Sequence, residues 1–277
     1  MQDGVTHAVC LEWRCDLTAS EALSRLSSLR PASATLGIGA GLADRLGIAI
    51  PGLRAFTSVV GVRTLPATQC CLWALVPGAD TSAAYDAAAA LVAALGPGFE
   101  AVEATSLFRY RAGRNLLGYR DGSANPRGKV AARAAFLGKG PWQHGTFALV
   151  QRFRHDASRF AALATDTQDA VLGVNRGSGN RLEAAPASAH VRRVDQDSVT
   201  HGASIVRRTL PWGTPPRNGE QHIAFSADLE RFHRLLARMT GLEDGVGDAL
   251  LEYSVAETGA YYFCPPLDGG RLQLKPY

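Results

Sequence analysis

One local pattern occurs twice along these 277 residues, and it restricts the folds open to the chain more than any other feature. An apolar run, Cys70-Cys71-Leu72-Trp73-Ala74-Leu75-Val76, is followed by Pro77-Gly78-Ala79-Asp80 and an alanine-rich helix beginning near Thr81. Far downstream His222-Ile223-Ala224-Phe225 passes through Ser226-Ala227-Asp228 into a helix with Leu229, Phe232, Leu235, Leu236 and Met239 at three-to-four spacing. In both places a strand leads to a capping residue and then to a helix. Each half opens with another strand and helix: Ala8 to Trp13 then Ser20 to Leu29, and Thr146 to Phe153 then Ala157 to Leu163. Alternation of this kind suits a parallel α/β sheet, but the strands are few and no Gly-x-Gly-x-x-Gly follows the first. The better reading is α+β, a duplicated βαβ-type unit with antiparallel sheets and helices on the sheet faces. The halves divide as 1–116 and 117–277, and with no Pro/Ser-rich linker between them they are expected to pack tightly.

The charge balance, 29 basic against 25 acidic residues, leaves a net of only +4. No Lys/Arg block or interleaved aromatic run accompanies it, so a mixed-charge solvated surface is expected and nucleic acid is not a partner. Met1-Gln2-Asp3-Gly4 carries no basic and apolar leader, and Ala87 to Leu95 is too short to span a bilayer, so a cytoplasmic protein without a membrane partner is expected. Five cysteines, an odd number without Cys-x-x-Cys, predict buried reduced thiols rather than disulfides or a zinc site.

The densest local motif is Gly118-Tyr119-Arg120-Asp121-Gly122-Ser123-Ala124-Asn125-Pro126. Its glycines permit a tight turn or a close approach of backbone to a flat ligand, and Asn-Pro starts another turn, so Asp121 projects from a stiff corner. Arg114-Asn115-Leu116-Leu117 precedes it. After it come Gly145 to Phe153, Gln168 to Gly173, Ala187-Ser188-Ala189-His190-Val191, Ile205-Val206-Arg207-Arg208 and Gly259 to Pro266. In this order the motifs resemble those of the dye-decolourising peroxidases, in particular the short, bacterial, B-type members. The match is close over roughly residues 110–270 and loose before that.

That resemblance implies two ferredoxin-like domains with haem b lodged mainly in the second. No Cys-x-x-Cys-His is present for a covalent attachment. It implies His190 as the iron's protein ligand, with His222 and His201 as its nearest rivals among seven histidines. Asp121 would shuttle the peroxide proton, and Arg207 would stabilise charge on the departing oxygen. Arg208 alternates to the other face if the segment is extended. Thr209 stands where B-type members often carry an asparagine, which removes an amide donor. Asp248 would hold the imidazole, with capping of a helix end as the alternative. Gly122 and Ser123 would let backbone approach the porphyrin, Ser123 reaching a propionate. Haem also needs an apolar slot, for which Ile223, Phe225, Leu210 and Phe263 are candidate walls, with ordinary core packing the alternative for each. Gly173-Val174-Asn175-Arg176 departs from the family's Gly-Arg-x-Lys, so Arg176 is given no propionate.

The activity implied is reduction of hydrogen peroxide, with a ferryl intermediate then oxidising phenolic or dye-like donors one electron at a time. Trp142, Trp212, Tyr110, Tyr119, Tyr261 and Tyr262 are available to carry electrons from the surface. A haem carrier, store or iron-recovery protein on the same scaffold is the alternative. A homo-oligomer is expected, and Leu272 to Tyr277 shows no tail for an encapsulating shell.

Overall fold

The computed structural model describes residues 6–111, 113–120, 125–196 and 205–275. The first half holds β1 (His7–Cys15), α1 (Ala19–Ser28), β2 (Thr35–Ile38), β3 (Leu72–Gly78), α2 (Thr81–Leu95) and β4 (Phe99–Phe108). The second holds β5 (Thr146–His155), α3 (Thr165–Leu172), α4 (His190–Arg193), β6 (Val206–Thr214), β7 (Arg217–Ser226), α5 (Leu229–Thr240), β8 (Ser254–Ala256) and β9 (Ala260–Cys264).

Local chemistry explains the boundaries. Thr18 and Glu21 form a reciprocal capping box at the start of α1. Asp80 accepts from the Ala83 N–H at 2.8 Å to start α2, and Asp228 caps α5, which stops at left-handed Gly241. The second half's counterpart of α1 is broken: a short helix over Ala157–Ala161 precedes α3.

All strand pairs are antiparallel. In the first half the order is β2-β3-β1-β4, and in the second β6-β7-β5-β9, with β8 also along β5. Each is the ferredoxin-like order, the second strand beside the third, then the first, then the fourth. The two sheets join edge to edge by single pairs, Phe263 with Ile38 and Leu107 with Trp212, and so close a ring of eight strands. Alternation along the strands fills the ring's interior with Ala8, Cys10, Trp73, Val150, Leu210, Ile223 and Tyr262, while the opposite faces pack against the helices. Polar contacts among the described residues cross the interior from one half to the other: Tyr262 donates its hydroxyl to Glu12 at 2.7 Å, and Arg152 donates to Glu103 at 2.6 Å and to Thr105 at 3.2 Å.

Cys10, Cys15 and Cys264 are buried and Cys70 and Cys71 half-buried, all as free thiols. Two of the five are therefore less enclosed than composition suggested. Among the described residues no helix is long and apolar enough to cross a membrane.

Candidate active site

Outside the ring, the second-half sheet and the helices over it enclose a cavity with about 250 Å³ of room for the centres of water-sized molecules. Every residue lining it lies in the second half except Asn115, just before the boundary. One wall is the sheet, where β5, β7 and β6 present Leu149, Gln151 and Phe153, Glu220 and His222, and Arg207 and Thr209. Across the cavity α4 contributes His190, and apolar side chains of α5 and its surroundings, among them Phe232, Leu235, Leu236 and Met239, fill the remainder.

His190 is held tightly. Its Nδ1 donates to Oδ2 of Asp248 at 2.7 Å, while the other carboxylate oxygen accepts the Leu250 N–H at 2.9 Å and caps the 3-10 turn Ala249–Glu252. The Asp248 side chain is wholly buried, and the imidazole keeps 27% of its surface open on the cavity side. A carboxylate on Nδ1 fixes the proton there and leaves Nε2 as an unshared lone pair. Burial disfavours a charged imidazole, but the Asp248 charge and hydrogen bond together outweigh it, so the His190 pKa lies above its ordinary value.

The short helix beneath is pinned as well. Arg193 is 2% exposed, donates Nε to the Arg238 carbonyl at 3.0 Å and clasps Asp244 with two 2.8 Å bonds. This guanidinium pulls the Asp244 pKa down to about 2. The Ala249 N–H donates to the Ser188 carbonyl at 2.8 Å, joining the segment before α4 to the turn that Asp248 caps.

On the sheet side the backbone of Arg207 is gripped at both polar groups by one side chain. Asn125 Oδ1 accepts its N–H at 2.9 Å, and Asn125 Nδ2 donates to its carbonyl at 2.7 Å. At the other end of the glycine-rich motif Tyr119 and Arg120 line the cavity, and Tyr119 donates to Asp169 at 2.7 Å. Gly118 has φ +93, a conformation that favours glycine, and the Arg176 guanidinium packs close against it.

The structure therefore brings His190, Asp248, Arg207 and Thr209 together around one cavity. Asp121, Gly122, Ser123 and His201 lie outside the described residues. Ile223 is a correction: it was expected to wall the slot, yet it is fully buried inside the ring, because it sits one residue out of phase with His222. Leu210 faces the same interior, Phe263 packs with Trp142 and Phe147, and Phe225 packs near Trp73. None of the four lines the cavity. Arg208 also stays out, bonding the Arg207 carbonyl. Arg176 lies over the Tyr119 ring rather than in the cavity. The sequence reading missed Gln151, Arg120 and Arg181 as lining groups and had placed His222 only as a rival ligand. Strand register alone puts His222 and Gln151 on the face that carries Thr209, and register is not written in either strand by itself.

Comparison with known proteins points one way. A family model described as Dyp-type peroxidase, C-terminal, matches residues 112–269. A dye-decolorizing peroxidase of Brevibacterium linens is 30% identical over 249 residues, 85% of this chain and 67% of that one. One of Mycobacterium tuberculosis (strain ATCC 25618 / H37Rv) is 28% identical over 274 residues, 91% and 82% respectively. Among solved structures, a dye-decolorizing protein from V. cholerae superposes with TM-score 0.85 at 26% identity, covering 94% of both chains. A DypB variant from Rhodococcus jostii RHA1 in complex with heme superposes with TM-score 0.87 at 25% identity, covering 95% and 94%.

Proposed function

We propose, from the premise that this chain belongs to the Dyp-type peroxidase family, that its haem-dependent reduction of hydrogen peroxide is run by His190 on one side of the cavity and by Arg207 and Asp121 on the other. The carrying observation is the 2.7 Å His190–Asp248 bond, with the imidazole's other nitrogen open to an apolar cavity that Arg207 faces.

The residues fit a haem. Among the described residues no three His, Cys, Asp or Glu side chains cluster as metal ligands, so an iron here would be supplied by a macrocycle and a single imidazole rather than by a protein cage. His190 Nε2 would hold it, the apolar side chains of α5 would flank it, and Arg120 and Arg181 would counter its carboxylates. When bound, the haem supplies the redox chemistry: two oxidising equivalents taken from peroxide and returned to two one-electron aromatic donors.

The chain's own groups do the rest. Asp248 keeps the proton on Nδ1 and makes the imidazole a more electron-rich ligand. Arg207, always charged, stabilises negative charge as the peroxide oxygens separate. Asp121 takes a proton from one peroxide oxygen and returns it to the other. Support for Asp121 comes from its neighbours, since Tyr119 and Arg120 line the cavity and Asn125 clamps Arg207.

Reconstitution with haem tests the reading. The wild type is expected to show a Soret band and peroxide-dependent oxidation of a phenol or dye, and His190→Ala to lose or disorder the haem. Asp121→Asn and Arg207→Leu should keep the band and slow the peroxide step by about 100-fold or more. Wild-type peroxide kinetics in both distal variants would refute the role assignment. A haem carrier without turnover would show the band and no peroxide step.

A further inference from the structure

One imidazole in the cavity has no part in the mechanism above. His222 on β7 sits directly opposite Thr209 on β6 and Gln151 on β5, so three polar side chains form a row across three strands of the wall facing His190. The Thr209 Oγ1 and His222 Nδ1 atoms are 3.2 Å apart, and His222 Nε2 has no hydrogen-bond partner among the described residues. At the far end of the row Gln151, 1% exposed, carries an Nε2 that is also unpartnered.

A histidine kept only for packing satisfies its buried nitrogens. His155 differs in place: it too has one bonded nitrogen, Nδ1 against Ser254 at 2.9 Å, and a buried Nε2 without a hydrogen bond, 3.7 Å from Glu220, but it does not line the cavity. His222 instead opens onto the cavity with one nitrogen tethered and the other unpaired.

We propose that His222 is a second distal base of the peroxidase, oriented by Thr209, with its Nε2 aimed at the peroxide. This rests on the haem reading above. With Nδ1–H donated to the Thr209 hydroxyl, Nε2 presents a lone pair. It gives the one proton that Asp121 also moves a second route, accepting it from one oxygen of the peroxide and passing it to the other, which departs as water when the oxygen–oxygen bond breaks. The imidazole gains and loses one proton and ends unchanged. The two electrons for that cleavage would be supplied by the haem and restored by the two one-electron aromatic donors of the established activity.

Burial, the Arg207 charge and His190 together push the His222 pKa down to about 3. The ring is therefore neutral across the ordinary pH range and is about as strong a base as a free aspartate. The charged and titratable groups around it are Arg207 and Glu220 on the sheet, His190 across the cavity, and Arg120, Arg181 and Asp195 on the remaining wall.

Cyanide association with the ferric, haem-loaded protein reads this directly, because hydrogen cyanide must lose its proton to a distal base in order to bind. His222→Phe, which keeps a ring without nitrogens, should slow association by about 10-fold or more and change its pH profile, with the Soret band retained. His222→Gln, a polar variant of smaller volume, should show the same loss. Thr209→Val should give a smaller loss that Thr209→Ser restores. Association at the wild-type rate and pH profile in both His222 variants overturns the proposal. So does a wild-type spectrum that is six-coordinate and low-spin and becomes high-spin in His222→Phe, since His222 would then be a ligand and not a base. A wild type with no Soret band at all overturns the haem reading, and this inference with it.

Discussion

Both oxygens of Asp248 are committed, one to the imidazole of His190 and the other to the backbone of Leu250. The sequence reading set a histidine partner against a helix-end cap, and the carboxylate is placed to be both. Asp248→Asn keeps the volume and an acceptor but removes the charge that makes the imidazole electron-rich. We expect that variant to fold, to raise the reduction potential of the bound haem and to slow the peroxide step by about 10- to 100-fold. Spectroelectrochemistry and stopped-flow mixing check it, and an unchanged potential would show that the charge is not felt at the iron. The same scale shows where sequence stops. His190, Arg207 and Asp248 were legible because each sits in a motif of distinctive neighbours. Ile223 was misplaced because a strand's two faces are chosen by the register of the strands beside it, and both faces of β7 are largely covered.

At the scale of elements, α4 is only four residues long and is too short to be stable by itself. Arg193 compensates by tying it to the end of α5 and to Asp244. Replacing Arg193 with Ala leaves the Arg238 carbonyl without its guanidinium partner. A loss of about 2 to 3 kcal/mol in unfolding free energy is expected, together with weaker haem retention, measured by denaturant titration and by transfer of haem to an acceptor protein. Unaltered retention would mean that α4 is positioned by Asp248 alone. The strand–cap–helix repeats were readable because capping residues and helical spacing are local: Asp80 and Asp228 announce α2 and α5. The cavity wall was not, because it combines β5, β6 and β7, whose facing residues lie far apart in sequence, as Phe147 and Ser226 do.

Across the whole molecule, the interior of the strand ring contains a carboxyl group that burial has altered. Glu12 lies among apolar side chains, and desolvation pushes its pKa from 4.5 up to about 7, against the opposing pull of the Tyr262 hydrogen bond and with further help from the Glu103 charge. The folded protein therefore retains a proton that the unfolded chain releases at lower pH. Stability from this group is full below about pH 4.5, falls as pH rises to about 7 and is level beyond. Glu12→Gln keeps an uncharged acceptor for Tyr262. It is expected to match the wild type near pH 4 and to exceed it by roughly 3 kcal/mol near pH 8. Unfolding free energies across that range decide it, and a constant difference at every pH would rule it out.

The ring also has a mechanical side. Within each half neighbouring strands share long ladders, but the halves meet through one residue pair at Phe263 and Ile38 and another at Leu107 and Trp212. A closed hoop cannot fray from an end and must first part somewhere, and these two joints have the fewest backbone rungs to break. Slow hydrogen–deuterium exchange should therefore persist in the middle strands of each half, with the earliest deuterium uptake along the two joints, so that the molecule breathes like a hinged shell while the wall behind the peroxide stays shut.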